Sequence, residues 1–143
     1  MKGIELSLEQ WPVVFTKFDG EHTLRDVEEY IEAFKAVHAK NALYANVTWL
    51  KRYASGRENM QRVARWMKDA EEHTRTYCVG TAMVTQSIGF RFVLSSIFLL
   101  RPMVTPYVVC GTVDEALAFV QHEGRRRKMP LPATLKNPWP DAP

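Results

Sequence analysis

Short apolar segments alternate with helix-length segments along this 143-residue chain, and this order constrains the fold more than any other feature. After two strand-like stretches near the N-terminus, residues 42–49, 77–84 and 107–111 are apolar runs of strand length. Each strand is followed by a segment long enough for a crossover helix, which favours parallel pairing. We therefore predict an α/β fold: a mixed, largely parallel sheet of about five strands, with helices packed on it, in the order ββαβαβαβα.

The start of the second predicted helix carries a capping signal. Ser55 and Glu58 fit the S-x-x-E pattern of a capping box, in which the first side chain accepts a hydrogen bond from the third helical N–H. The helix should continue to about Glu72, with Met60 and Met67 on its apolar face. Capping alone would stabilise the helix by about 1 kcal/mol.

Similar signals divide the rest of the chain. Ser87 and Thr112 precede the two later helices and are predicted caps. The turn dipeptide Asp19-Gly20 is predicted to end the second strand. Residues 1–124 should form one domain, and residues 125–143 a basic, then proline-rich tail that wraps the domain or stays mobile.

The composition gives no sign of a nucleic-acid partner. The chain is 46% hydrophobic and 24% charged, close to the averages for soluble globular proteins, and its formal net charge is +3. The run Arg125–Lys128 supplies that excess, because removing it leaves 15 basic residues against 16 acidic ones. No basic face of the kind that binds nucleic acid is expected.

Catalytic and metal-binding motifs are missing from the sequence. It contains no G-x-S-x-G elbow and no glycine-rich phosphate loop, and its cysteines lack the spacing of a zinc site. The histidines His22, His38, His73 and His122 fall in or beside helices and turns, where surface or half-buried positions are usual. We therefore expect no enzyme, no cofactor and no metal.

The cysteines and the N-terminus favour a cytoplasmic protein. Cys78 and Cys110 lie in apolar, strand-like stretches, which is typical of buried free thiols in a reducing compartment. The first nine residues mix charged and apolar positions and do not resemble a secretory signal.

Residues 88–100 are apolar nearly all round, which is unusual for a helix in a soluble protein. The run is shorter than the roughly 20 residues that span a bilayer and contains Arg91, so no integral membrane segment is predicted. A buried central helix is the favoured interpretation. The alternatives are a self-association surface and one wall of an apolar-ligand or lipid pocket. The residues assigned to that pocket are Thr85, Ser87, Phe90, Arg91 and Phe98.

Two short motifs resemble the STAS family, which includes the anti-anti-sigma factors. They are Asn46-Val47-Thr48 at a predicted strand end and Ser55-Gly56 at the start of the next helix. Tyr53 and Ala54 occupy the acidic and first serine positions of the family's Asp-Ser-Ser-Gly motif. The apolar patterns of residues 82–87 and 108–117 are more similar to the bacterial branch called SpoIIAA-like or STAS/SEC14-like.

The resemblance implies a regulatory module in which Ser55 matches the serine that a kinase partner phosphorylates. A phosphate at a helix N-terminus would meet free N–H groups, and Arg52 and Arg57 flank the position. The predicted interaction site therefore comprises Asn46, Thr48, Arg52, Ser55 and Arg57. Our first functional hypothesis is a non-enzymatic module that docks to a protein partner or to itself, and the alternative is a domain that binds lipid or a small apolar ligand.

Overall fold

The computed structural model describes all residues from Met1 to Pro143 as five strands and five helices. In chain order these are β1 (Ile4–Ser7), β2 (Val13–Glu21), α1 (Leu24–His38), β3 (Tyr44–Ala54), α2 (Arg57–Asp69), α3 (Glu71–Tyr77), β4 (Cys78–Val84), α4 (Ile88–Leu100), β5 (Tyr107–Cys110) and α5 (Val113–Arg126). The predicted α/β order is confirmed, with α3 as one additional short helix before β4.

The five strands form one mixed sheet in the order β1-β2-β3-β4-β5. β1 pairs antiparallel with β2, and every other pair is parallel, as predicted. β1 and β5 are therefore the edge strands. Because β2, β3, β4 and β5 point the same way, the residues that follow them meet at one edge of the sheet, which we call the carboxyl edge.

One face of the sheet, which we call the α5 face, carries the larger core. Side chains alternate along each strand, so Phe15, Val47 and Val84 point to this face together. Helix α5 lies over them, and its amphipathic spacing places one stripe against the strands. Its buried residues are Val113, Ala116, Leu117, Val120 and Gly124.

The C-terminal tail completes the α5 face. Met129 and Trp139 belong to the same core, and the indole ring of Trp139 lies 5.6 Å from Phe15 and 5.5 Å from Trp49. The amide of Val113 donates a hydrogen bond of 2.8 Å to the carbonyl of Pro143. Residues 129–143 thus pack on the domain, and α5 itself continues past residue 124.

The opposite face, which we call the α1 face, has a smaller core. Val14 and Tyr44 from the strands pack with Phe34 and Val37 from α1, together with Cys78. Helices α2, α3 and α4 lie on this side as well, but they add little buried surface: Asn59 is the one buried residue of α2, and α3 has none.

The lengths of β2 and β3 differ from the prediction. β2 continues through Asp19 and Gly20 to Glu21, and Gly20 adopts φ +96° within it. Between Phe18 and Asp19 the pairing with β3 shifts by one residue, and Lys51 of β3 is the residue without a partner. β3 extends to Ala54, five residues beyond the predicted end. It pairs with the longer β2 over residues 45–54, which supplies its extra hydrogen bonds.

The predicted apolar face of α2 is wrong. Met60 and Met67 are 52% and 53% exposed, whereas Asn59 is buried and Trp66 is half-buried. Helix α2 packs against α1, where the Trp66 ring stacks 5.3 Å from His38. The neighbouring helix, rather than the apolar periodicity of α2, selects its inward side.

Candidate functional site

The carboxyl edge brings together His22 after β2, Ser55 after β3, Thr85 after β4 and Gly111 after β5. Helices α1, α2, α4 and α5 all begin at this edge, so the N–H groups of their first turns face it. In parallel sheets this edge is where ligands usually bind.

Asn46 and Thr48 lie inside β3, so the prediction that they stand at a strand end is wrong. Asn46 and Ser55 are nine positions apart along extended chain, a span of about 30 Å. The amide nitrogen of Asn46 lies 3.9 Å from Sγ of Cys78, and its Oδ1 is buried without a partner. The extra length of β3 therefore separates this residue from the carboxyl edge.

Ser55 does not cap α2, which corrects the predicted capping box. Gly56 is the N-cap, and no side chain accepts a hydrogen bond from the first turn. Oγ of Ser55 instead lies 3.1 Å from Nε2 of His22. A contact with a residue 33 positions away has replaced the local bond that the sequence pattern favours.

The two arginines that flank Ser55 differ in their surroundings. Nε of Arg52 lies 2.6 Å from Oδ1 of Asp19, and this hydrogen bond lowers the pKa of the aspartate below its ordinary value. Arg57 is exposed in the first turn of α2. Arg57 therefore has the freer guanidinium for a charged group at the helix start.

An open depression of about 460 Å³ surrounds the Ser55–His22 pair. Its lining residues are Glu21, His22, Ala54, Ser55, Gly56 and Asn59. His22 is 8% exposed and Asn59 is 9% exposed, and Nδ2 of Asn59 donates a hydrogen bond of 2.9 Å to the carbonyl of His22. The sequence analysis missed both residues at this site. The position of His22 directly after a parallel strand was the available signal.

Nδ1 of His22 is buried and has no hydrogen-bond partner. An unpaired buried polar atom costs about 1–3 kcal/mol, and a glycine N-cap in place of a side-chain cap costs roughly a few tenths of a kcal/mol. Both costs fall within the same depression. Such local costs concentrate at functional sites.

The residues assigned to the alternative ligand pocket are distributed along α4 and its start. Oγ of Ser87 accepts a hydrogen bond from the amide of Phe90, which confirms the predicted cap, and Oγ1 of buried Thr85 accepts one from the amide of Ser87. The ring of Phe90 stacks on Tyr53 at 6.1 Å, and Phe98 contacts the edge of Tyr107 at 4.9 Å.

Neither the depression at Ser55 nor a second cavity is lined by these residues or by any other residue of α4. The second cavity, of about 360 Å³, lies near Trp11 and Leu131, at the opposite end of the strands from Ser55. Arg91 is half-buried, and its guanidinium lies close to Gly111. One side of α4 thus packs on the carboxyl edge and on β5, through Phe90, Arg91 and Phe98.

Helix α4 has the predicted bounds, but the prediction that it is buried is wrong, because none of its residues is buried. Its most exposed side chains are Ile88 (79%), Phe92 (73%), Leu99 (81%) and Leu100 (85%), with Val93 and Ile97 about half exposed. At 100° per residue these six side chains occupy about half of the helix circumference. The helix packs through its other side only, so a continuous apolar surface faces outward.

Electrostatically, this outer surface of α4 is neutral. The helix contains no acidic residue, and its one charged residue, Arg91, lies on the inner side near Gly111. Large exposed apolar patches on soluble domains mark interaction sites. No helix of the structure has the length and apolar character needed to cross a bilayer.

Potential metal ligands and thiols are not grouped at the carboxyl edge. No cluster of three or more His, Cys, Asp and Glu side chains is placed to hold a metal ion. Cys78 and Cys110 are free and buried, as predicted, and burial raises the pKa of the Cys110 thiol to about 11. These thiols are therefore protonated at neutral pH and are poor nucleophiles.

No protein-family model, curated protein or solved structure matches this chain. The resemblance to the STAS family accordingly stays a prediction.

Proposed function

We propose that the protein is an interaction module that self-associates through the outer surface of α4. The observation that carries this proposal is that the outer side of α4 is apolar and is not covered by any other part of the chain. Burying such side chains stabilises an association by about 25 cal/mol for each Å² removed from water. The STAS-like Ser55-Gly56 motif supports the same class of function, since that family acts by docking.

A second copy of the chain is the occupant that fits this surface. The other exposed apolar residues are Met1, Leu24 and Tyr53, and Met60 and Met67 on one side of α2. The six exposed side chains of α4 form the largest such group, so α4 of a second copy is the best-matched apolar surface. Because Arg91 is on the inner side, two α4 helices meet about a twofold axis with no charged side chain of the helix between them, and the exposed Arg101 lies just beyond the C-terminal end of each helix.

The edge strand β5 extends the same surface. β5 pairs only with β4 and leaves its outer backbone groups without a strand partner, and α4 contacts β5. An interface made by α4 alone is small against the roughly 800 Å² that each partner buries in a standard complex. Adding the β5 edge brings the contact closer to that size and satisfies exposed backbone groups.

The test is sedimentation velocity of the full chain over a range of concentrations. We expect a concentration-dependent dimer for the wild-type chain, and a monomer for Phe92→Glu and Leu99→Glu, because each variant places a charge in the apolar contact. Leu24→Glu is the matched control. It also exchanges an exposed leucine for a carboxylate, but at the start of α1, where the helix dipole favours acids.

A wild-type chain that stays monomeric at its highest soluble concentration would overturn the proposal. The same experiment with phosphatidylcholine vesicles separates self-association from the lipid-binding alternative. If the monomer co-sediments with vesicles and both α4 variants lose that binding, the occupant of α4 is a lipid surface and self-association is wrong. Dimerisation of Leu99→Glu with wild-type affinity would also contradict the assignment.

A further inference from the structure

The α1 face of the sheet is incompletely covered above its two central strands. Thr48 of β3 and Met83 of β4 are paired neighbours whose side chains point to this face, because Val47 and Ala82 beside them point to the α5 face. Both are only half-buried, whereas Val47 and Ala82 are fully buried. Solvent therefore reaches the middle of the sheet from the α1 side.

This opening lies between α2 and α4. Because α1, α2 and α4 connect successive neighbouring strands, they lie side by side in that order. Helix α2 packs mainly on α1, and α4 packs mainly on β5, so α2 and α4 lean away from each other. We call the space between them, above Thr48 and Met83, the α2–α4 cleft.

The α2 wall of the cleft is apolar. Arg62 and Trp66 contact α1, so the side of α2 that carries them is turned away from α4. At 100° per residue, Met60 and Met67 lie about 100–160° round the helix from these two residues. They are 52% and 53% exposed, and methionine side chains adapt to partners of varied shape.

The α4 wall is formed by Val93 and Ile97. The ring of Phe90 stacks on Tyr53 of β3, which marks the side of α4 that faces α2. Val93 and Ile97 lie within about 60° of Phe90 round the helix and are 50% and 47% exposed. Leu99, which tests self-association, lies on the opposite side of the helix from Phe90.

One end of the cleft is positively charged. Lys68 and Arg101 are exposed at the ends of α2 and α4, and because these helices run in the same direction, both cations stand at the same end. The neighbouring carboxylates do not neutralise them. Asp69 lies about 160° round α2 from Met67, and the glutamates of α3 form ion pairs with Arg75.

We propose that the α2–α4 cleft binds an amphipathic helix of a protein partner, with an apolar stripe and acidic residues beside it. Two apolar walls suit the binding mode in which one helix lays its apolar face into a groove. The cations favour carboxylates on the partner and disfavour a second copy of this chain, which would bring its own Lys68 and Arg101. The proposal goes beyond self-association and does not depend on it.

The test is fluorescence anisotropy of labelled model peptides of about 18 residues, titrated with the full chain. The first peptide has a leucine stripe along one helix face and glutamates elsewhere. The second has lysine in place of each glutamate, and the third has the composition of the first with the stripe scrambled. We expect saturable binding of the first peptide, weaker binding of the second and none of the third.

Two changes of the cleft have matched controls. Ile97→Glu places a charge in the apolar wall and should weaken binding of the acidic peptide at least about tenfold. Leu99→Glu adds the same charge to the other side of α4 and should bind this peptide like the wild type. Lys68→Glu should weaken binding of the acidic peptide about two- to fivefold and strengthen binding of the basic one. Arg65→Glu, on the far side of α2, should do neither.

Thermal melting close to that of the wild type shows that each variant is folded. Equal binding of the scrambled peptide, or no binding of any peptide, would overturn the proposal, while self-association is judged separately by sedimentation. Undiminished binding by Ile97→Glu would place the peptide elsewhere. If phosphatidylglycerol vesicles bind instead of the acidic peptide and Ile97→Glu loses them, the occupant is a membrane surface and the proposal is wrong.

Discussion

The two faces of the sheet are covered in different ways. On the α5 face, one amphipathic helix and the C-terminal tail enclose a core of 15 buried residues. On the α1 face, four helices cover a smaller core, in which a cluster of five residues lies beside the buried Val27 and Ile31 of α1. One of these helices, α4, has no fully buried side chain. The number of helices on a face therefore does not determine how many side chains are buried there.

The difference follows from how the helices meet the strands. The apolar stripe of α5 matches the width of a single contact, so its polar residues reach solvent. Helix α4 is apolar around more of its surface than one contact covers, and the remainder stays exposed. We infer that the α5 face supplies most of the stability, and the proposed self-association would take place on the α1 face.

The largest effect is expected from Trp139→Ala. Trp139 is 8% exposed and packs on Phe15 and Trp49, so truncation should leave a cavity and lower the free energy of unfolding by about 3–5 kcal/mol. Trp66→Ala is the matched change on the α1 face, where the indole is half-buried, and should cost less. Urea denaturation measures both. An equal loss in the two variants would mean that the faces contribute alike.

A second prediction compares one substitution in the two helices. Leu117→Ala removes a leucine of α5 that is 8% exposed and should cost about 2–5 kcal/mol. Leu99→Ala changes a leucine of α4 that is 81% exposed, and at protein concentrations too low for association it should change the free energy of unfolding by less than about 0.5 kcal/mol.

Raising the concentration sharpens this comparison. Self-association stabilises the wild-type chain by mass action, and Leu99→Ala should lose part of that increment while Leu117→Ala keeps it. If Leu99→Ala is as destabilising as Leu117→Ala in dilute solution, then α4 packs within its own chain and the contrast between the faces is wrong.

The parts of the fold that depend on local sequence were predictable. Thr112 caps α5 and Ser87 caps α4, because each interaction needs only a residue three positions away. Long-range contacts were not predictable. Ser55 carries an equally good local signal, but its hydroxyl contacts the ring of His22, which follows a different strand. The side of α2 that faces inward likewise depends on its packing against α1. The exposure of α4 depends on how much of this helix the sheet covers, which its own sequence does not determine.

Half-buried imidazoles give the α1 face a pH dependence between about pH 6.5 and 4. The ring of His38 stacks 4.1 Å from His73, and its Nε2 lies 3.0 Å from the hydroxyl of Tyr44. Burial, and secondarily the neighbouring His73, lower the pKa of His38 from 6.5 to about 4. Between these values the unfolded chain binds a proton that the folded chain excludes, so stability should fall as the pH drops from about 6.5 towards 4.

This is the smallest of the expected effects, because His38 is only half-buried and solvent screens part of the interaction. The measurement is the urea midpoint at pH 7.5, 6 and 5 for the wild type and for His38→Gln, whose slope over this range should be shallower. His122→Gln, an exposed histidine change on α5, should retain the wild-type slope. If His38→Gln retains that slope as well, the acid sensitivity lies outside the α1 face, and the two faces differ in packing alone.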